Sequence, residues 1–402
     1  MKRRLIVIGF ALTALLSCGT SRQVRHDRES IPQYADMTLV GWHHRQPHQW
    51  SAERLAPHVS FVDENGREHW LFESFLFIES QDPDLHRIYS VAPSGRSAAK
   101  ESWEHLLDRW LGPDGDVKAL DEAVGAARKR IGKPSRRRAV ILTLPDPVML
   151  ERFSDKKSST TYWGSVDGRQ LDFADVQDQI RASKWYIDEA RARFKALKLK
   201  NLDLGGFYIL SEDLPNAFGE TPAERLNIQY KRWETILPAL SEYIHAAGGE
   251  GLYWIPYHLA PGYKNWKQLG IDRAYMQPNY YWDLYKKGRH PFDKTIRAVK
   301  DYDMGMELEF EYSMVADVMK VEKKGPDGDG AMVFTEKDVP ALRDMFREYL
   351  TRFKDAGFYG TRPFALYSGT DALHQLATSS DPEDRAMYLE ICKFVIDNPM
   401  KQ

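Results

Sequence analysis

The chain has 402 residues, with 56 basic and 58 acidic side chains and a formal net charge of −2. That near-balance excludes binding to nucleic acid through bulk positive charge, and the length admits one large domain or two medium ones. Aromatic residues make up 12% of the chain, with 11 Trp and 20 Tyr; rings of this kind fill a core, and they also line clefts for flat, hydroxylated ligands.

Lys2, Arg3 and Arg4 precede an apolar run from Leu5 to Leu16, followed by Ser17-Cys18-Gly19. The run is too short to span a membrane and its flanks are those of a secretory signal. Leu15-Leu16-Ser17-Cys18 resembles a bacterial lipobox, so residues 1–18 are expected to be a lipoprotein signal peptide, with the Cys18 thiol lipidated at the cleavage point. Gly19 is not the acidic residue that retains lipoproteins at the inner membrane in some bacteria, which favours the outer membrane. Only Cys392 then remains, so no disulfide framework forms and stability must come from a core. Residues 19–35 are polar and aperiodic, the pattern of a flexible tether.

From residue 36 onward, strand-like and helical runs alternate. Strands are predicted at 37–42, 70–79, 139–144, 202–210, 251–257, 273–281, 306–311 and 363–367. Helices are predicted at 97–110, 117–131, 173–197, 222–247, 292–302, 336–356 and 382–396, with short connections near 52–56 and 264–269. Eight strands alternating with helices predict an α/β fold, a (β/α)8 TIM barrel forming a single catalytic-type domain over 36–398. A doubly wound open sheet would carry a Gly-rich phosphate turn after its first strand, and Gly41-Trp42-His43-His44 is not one. No cofactor is expected, and oligomeric state is left open.

Such barrels place chemistry at the C-terminal ends of their strands, and here those ends mix rings with carboxylates. The first gives Trp42 and His43, the second Glu79, and the third Pro145-Asp146-Pro147. The fourth gives Tyr208 and then Ser211-Glu212-Asp213. The fifth gives Trp254, Tyr257 and His258, and the sixth Gln277, Asn279, Tyr281 and Trp282. The seventh is the most informative: in GMELEFEYS (305–313), Met306, Leu308 and Phe310 alternate with Glu307, Glu309 and Glu311. One face is apolar and the other carries three carboxylates. A solvent-facing edge strand would show the same pattern, whereas a barrel strand would aim the acids into the mouth.

Glycosidic cleavage needs two carboxyl groups flanking one bond, one to protonate the leaving oxygen and one to attack the sugar or activate water. Glu212 after the fourth strand and Glu309 on the seventh are placed to face each other over a substrate, with Glu311 close behind. This arrangement resembles the large retaining clan of (β/α)8 glycoside hydrolases, which implies Glu212 as general acid/base and Glu309 as nucleophile or base. GGFYILSED (205–213), GLYWIPYH (251–258), AYMQPNYYW (274–282), GMELEFE (305–311) and LFESFLF (71–77) carry a wider resemblance to a bacterial family of secreted barrels known as a domain of unknown function. It spans most of 37–390 and departs from the pattern at Ile209-Leu210, where related sequences favour an aromatic. The expected function is a glycoside hydrolase-like enzyme acting on a poly- or oligosaccharide. The expected partners are that carbohydrate, contacted by the rings and amides above, and a membrane reached through the lipid anchor only.

Two alternatives stand beside this reading. A glycan-capturing surface lipoprotein explains the rings and the lipid but not the opposed acids. A metal-dependent hydrolase would use His43, His44, His48 and His58, but adjacent His43 and His44 point to opposite faces of a strand and no paired-histidine motif is present, so no metal is expected. Gly325-Pro-Asp-Gly-Asp-Gly330 resembles a calcium loop in composition but lacks its spaced ligands and terminal Glu.

Overall fold

A computed structural model describes residues 31–41, 49–91, 95–214, 232–283, 290–322, 334–369 and 371–401. Eight parallel strands close into a barrel in chain order: β1 (Asp36–Gly41), β2 (Ser74–Ile78), β3 (Arg138–Leu144), β4 (Leu202–Ile209), β5 (Gly251–Trp254), β6 (Arg273–Met276), β7 (Gly305–Phe310) and β8 (Phe364–Ser368), which pairs back onto β1. Around it lie α1 (Ala52–Val59), α2 (Lys100–Leu111), α3 (Asp116–Ile131), α4 (Val176–Ala196), α5 (Trp233–His245), α6 (Phe292–Asp301), α7 (Ala316–Glu322), α8 (Val339–Asp355), α9 (Ala372–Thr378) and α10 (Pro382–Ile396). The architecture is therefore the (β/α)8 barrel.

Strands covered by helices outside and side chains inside are buried on both faces, which is why β3 reads RAVILTL with all seven residues buried. Contacts with the helices set which face is which. Phe77 of β2 packs against Trp110 of α2, and Phe310 of β7 against Phe346 of α8. With Phe310 outward, Met306 and Leu308 are outward too, and Glu307 and Glu309 point along the barrel interior. The register places Glu307 beside Ala365 and Glu309 beside Tyr367 of β8.

Several elements differ in extent from the sequence reading. The second barrel strand starts at Ser74, and Glu68–Trp70 instead pairs antiparallel with Ser60–Val62. The chain turns inward between them, held by the Glu73 amide donating to Asp36 Oδ1 at 2.7 Å. The fifth and sixth strands stop at Trp254 and Met276, just before Pro256 and Pro278, which have no amide hydrogen to give a ladder. The connection after β1 holds a full helix, α1, and α7 and α9 are additional helices. The end of the expected tether is packed: Ile31, Tyr34 and Ala35 are buried at the N-terminal end of the barrel, and the Ala35 amide donates to Glu73 Oε2 at 2.9 Å. Their apolar surface needs that cover. The signal segment, the start of the helix predicted at 222–247 and the calcium-like loop at 325–330 lie outside the described residues. Among the described residues no helix is long and apolar enough to cross a membrane.

The strand that delivers Glu212 carries an irregularity. The β3–β4 register shifts between Leu204 and Gly206. Gly206 has φ +143°, and a Cβ there would lie 2.0 Å from the Gly251 carbonyl oxygen. A side chain meets both a forbidden backbone region and a neighbouring strand. Gly206→Ala is expected to cost roughly 3 kcal/mol or more, read as a lowered urea midpoint; an unchanged midpoint would show that the barrel absorbs a methyl group here.

Candidate active site

Glu307, Glu309 and Glu311 are 2, 2 and 3% exposed, so β7 carries its acids into the protein rather than into solvent. Burial of a carboxylate favours its protonated form. Glu309 Oε2 accepts from the Tyr349 hydroxyl of α8 and from the Asn279 amide, each at 2.7 Å. Burial nevertheless wins and pushes Glu309 up to about 8; the two hydrogen bonds pull it down and the charge of Glu212 adds to the rise. Glu307 is held well above the carboxylate range, by burial first and then by Glu309 and Glu212. Glu311 lies just past the strand, where its Oε1 accepts from the Tyr367 hydroxyl at 2.7 Å. Gly369 makes room for it: a Cβ there would sit 2.4 Å from Glu311 Oε2.

Glu212 follows β4 and is exposed. Its Oε1 accepts from Gln277 Nε2 at 3.1 Å. Gln277 Oε1 in turn accepts from Asn279 Nδ2 at 3.3 Å, and the Asn279 amide is the donor to Glu309. Two residues after β6 thus bridge the carboxylate after β4 to the one on β7. Asn279 makes this turn with φ +53°, a left-handed conformation that asparagine tolerates. The Tyr257 amide donates to the Glu212 carbonyl at 3.0 Å, which ties the β4 and β5 loops together.

Asp146, at the end of β3, completes the acidic ring. Its Oδ2 accepts from Ser211 Oγ at 2.5 Å, and burial pushes it up to about 7 against the pull of that bond. Tyr208 projects inward from β4, and burial, then Glu212, Glu307 and Asp146, hold its phenol well above the usual range. Glu212, Glu307 and Glu309 therefore feel one another at the mouth, and Asp146 joins Glu212 and Glu307 in acting on Tyr208.

The sequence candidates divide by where the structure places them. Glu212, Glu309, Tyr208, Gln277 and Asn279 are brought together by the contacts above, and Glu311 lies beside them under Tyr367. Tyr257 and His258 sit half-buried on the mouth wall after β5. Trp254 and Tyr281 are enclosed in packing: the Trp254 Nε1–H is spent on the Ser211 carbonyl at 2.7 Å, and the Tyr281 hydroxyl pairs with Ser313 Oγ at 2.9 Å. They shape the loops that carry the acids. Glu79 is buried and accepts from the Ser80 amide at 3.0 Å, and Trp282 packs between Tyr281 and Tyr367. Trp42, His43 and Cys18 lie outside the described residues, as do His44 and His48.

Asp146, Glu307 and Tyr349 were not among the candidates. Glu307 was visible as the deepest of the three alternating acids. Tyr349 reads as part of an ordinary helix face, and nothing in the sequence signals that its hydroxyl reaches Glu309.

Among the described residues, Asp82, Asp84 and His105 alone converge with metal-ligand spacing, within 4.8 Å. Their charges meet protein groups, His105 Nδ1 lying 3.3 Å from Asp82 Oδ2 and Arg109 Nη2 3.5 Å from Asp84 Oδ2. His58 is fully buried against Thr38 Oγ1 at 3.3 Å, and burial holds it down at about 3, so it is a neutral core histidine. At the opposite end of the barrel a cavity of about 330 Å³ is lined by Trp266, Arg273 and Arg362. The two carboxylates that line it are held by protein groups, Asp303 by Lys267 and Arg362 and Asp272 by His245 and the Leu252 amide.

Residues 36–325 match the family described as Domain of unknown function (DUF4855). No curated protein matches the chain. Among solved structures, one from a study of two fungal beta-1,4-galactanases is 11% identical, covers 89% of this chain and 100% of its own, and superposes with a TM-score of 0.39.

The high pKa of Glu309 has a consequence for stability. A carboxyl whose folded pKa lies above the usual 4.5 stabilises the fold fully below that value and loses the contribution as pH rises through about 8. Glu309→Gln cannot ionise, and one amide oxygen can still accept from Tyr349 and Asn279. Its melting temperature relative to wild type is expected to rise by roughly 2–5 °C between pH 5 and pH 8, from a linkage on the order of a few kcal/mol. A difference that stays constant over that range would mean Glu309 is already ionised when folded.

Proposed function

The chain belongs to the DUF4855 family, and we propose that it is a glycoside hydrolase-like enzyme acting on a poly- or oligosaccharide held between Glu212 and Glu309. The observation that carries this reading is the hydrogen-bonded bridge from Glu212 through Gln277 and Asn279 to Glu309. It couples one exposed and one buried carboxylate across the mouth of a (β/α)8 barrel. Acid-base cleavage of a glycosidic bond needs such a pair, with environments that separate the two pKa values.

The surroundings favour an order of roles opposite to the one implied by strand position. Glu309, dry and held at about 8, keeps its proton near neutral pH and suits the acid that protonates the leaving oxygen. Glu212, exposed and accepting from Gln277, suits the ionised partner that attacks the sugar or activates water. Tyr208, Gln277 and Asn279 line the space between, and Glu307 adds a further carboxyl below Glu309. For placement in the cell we propose export and anchoring through lipidated Cys18 in the cell envelope, at the outer membrane. Cys18→Ser is expected to move the protein from the membrane to the soluble fraction of its native host, and retention at the membrane would reject the anchor.

The test is a screen of the purified protein against a broad oligo- and polysaccharide panel, with Glu212→Gln and Glu309→Gln alongside. Wild-type cleavage is expected, reduced at least about 100-fold in both variants and falling above pH 8 as Glu309 loses its proton. On aryl glycosides with a leaving group that needs no protonation, Glu309→Gln is expected to regain much of its activity and Glu212→Gln to regain none. The reverse pattern would restore the positional assignment. Binding without cleavage, equal in all three proteins, would point to a glycan-capturing protein instead.

A further inference from the structure

Away from Glu212 and Glu309, one cluster of side chains keeps polar atoms that hydrogen bonding does not serve. The chain leaves β2 through a tight turn. The Asp82 amide donates to the Arg87 carbonyl at 2.7 Å, and the His86 amide to the Asp82 carbonyl at 2.9 Å. Asp82 Oδ1 accepts from the Asp84 and Leu85 amides at 2.9 and 3.1 Å. This turn sets the Asp82 and Asp84 carboxylates beside His105 of α2, one ligand atom of each lying within 4.8 Å of the others.

Asp82 is fully buried, and its second oxygen, Oδ2, has no hydrogen-bond partner among the described residues. Neither has His105 Nδ1, which is also shut off from water. The two atoms face each other at 3.3 Å, yet their alignment does not make a hydrogen bond. A buried carboxylate oxygen and a buried ring nitrogen left this way are costly. A cation between them removes the cost at both atoms at once. Ligand atoms bound at about 2.0–2.4 Å on adjacent corners of a tetrahedral or octahedral shell lie roughly 3–3.6 Å apart, with the ion off the line that joins them. The separation and the misalignment here both fit that geometry. Asp84 is exposed, and its Oδ2 meets Arg109 Nη2, one helical turn past His105, only at 3.5 Å, so the guanidinium holds it loosely.

We propose that Asp82, Asp84 and His105 hold a divalent transition-metal ion, Mn²⁺ or Zn²⁺, which pins the loop after β2 to α2. One imidazole with two carboxylates suits these ions better than Ca²⁺ or Mg²⁺, which take oxygen ligands. The site does not depend on the carbohydrate reading, and its role is structural. Farther along the same loop, the Tyr89 amide donates to the Ser80 carbonyl at 2.9 Å and the Tyr89 hydroxyl to the Ser102 carbonyl of α2 at 2.8 Å. The Tyr89 carbonyl in turn accepts from the Asp146 amide at 2.7 Å. An ion bonded to both the turn and α2 therefore stiffens the segment on which Asp146 rests.

The test uses the untagged protein, stripped with a chelator, dialysed, and titrated calorimetrically with MnCl₂, ZnCl₂ and CaCl₂. Wild type is expected to bind Mn²⁺ or Zn²⁺ at this site at least about tenfold more tightly than Ca²⁺. At roughly 100 times Kd the ion is expected to raise Tm by about 3–5 °C. Asp82→Asn keeps an oxygen for the Asp84 and Leu85 amides and gains an NH₂ that can donate to His105 Nδ1, so it folds without the ion. It and His105→Gln are each expected to weaken binding at least about 30-fold and to lose the rise in Tm. Arg109→Gln removes the competing positive charge and is expected to tighten binding several-fold, an effect that scattered surface binding would not show. Absence of Mn²⁺ and Zn²⁺ binding in wild type overturns the proposal, as does affinity unchanged in both Asp82→Asn and His105→Gln. Ca²⁺ bound as tightly as the other two overturns the transition-metal assignment.

Discussion

Placing a carboxylate in a dry interior is costly unless it is paired, hydrogen-bonded or protonated, and the seventh strand of this barrel does so repeatedly. The apolar half of that strand is fixed by the helix outside, where Phe310 meets Phe346, so the acidic half has no choice but to face the axis. Among the described residues no cation appears among the groups that set the charge state of Glu307 or Glu309; burial is the largest influence on both, and neighbouring carboxylates add to it. Such a cluster can persist only by keeping protons, and it withdraws stability as pH rises. The arrangement is intelligible as a site whose requirements outrank those of the fold.

Positioning such groups requires a rigid rim, and the rim here is held from outside the barrel. Past β7 the chain turns into α7 under a buried ion pair between Arg343 of α8 and Asp384 of α10. Asp384 also accepts from the Ala316 amide at 2.9 Å, the Asp317 amide at 3.1 Å and Ser379 Oγ at 2.7 Å, while Arg343 Nε reaches the Met314 carbonyl at 3.3 Å. A pair buried this fully serves stability only because its remaining hydrogen-bonding capacity is met. The same helix α8 supplies Tyr349, whose hydroxyl serves both Glu309 and the Tyr281 amide. One outer helix thereby fixes both the acid and the loop of β6 that bridges it to Glu212.

Much of this was legible along the chain. Period-two alternation at 305–311 identified the acid-bearing face before any contact was known, since alternation reports local geometry. Eight strand-helix alternations identified the barrel for the same reason. What escaped was non-local. Whether Trp254 meets ligand or core depends on the Ser211 carbonyl, which lies 43 positions away in sequence. Tyr349 is indistinguishable from Phe346 as a buried helix position until the barrel brings Glu309 beneath it. Strand ends were overextended at Pro256 and Pro278, where ring-rich sequence kept its strand-like look after the ladder had lost its donors.

The remaining question is what keeps a proton on Glu309 when a hydrogen-bonded bridge leads from it to the exposed carboxyl of Glu212. Glu212 and Glu309 repel, and each raises the cost of ionising the other. Solvent decides the outcome, because water stabilises charge on the exposed Glu212 and cannot reach Glu309. Burial therefore keeps the proton on Glu309, with the charge of Glu212 a smaller contribution, even though two donors point at it. If a saccharide covers Glu212, the difference in hydration shrinks and the donors on Glu309 count for more, so the proton on Glu309 becomes easier to give up. On the proposed reading, binding would itself bring the acid toward the point of transfer, with no movement of the backbone required.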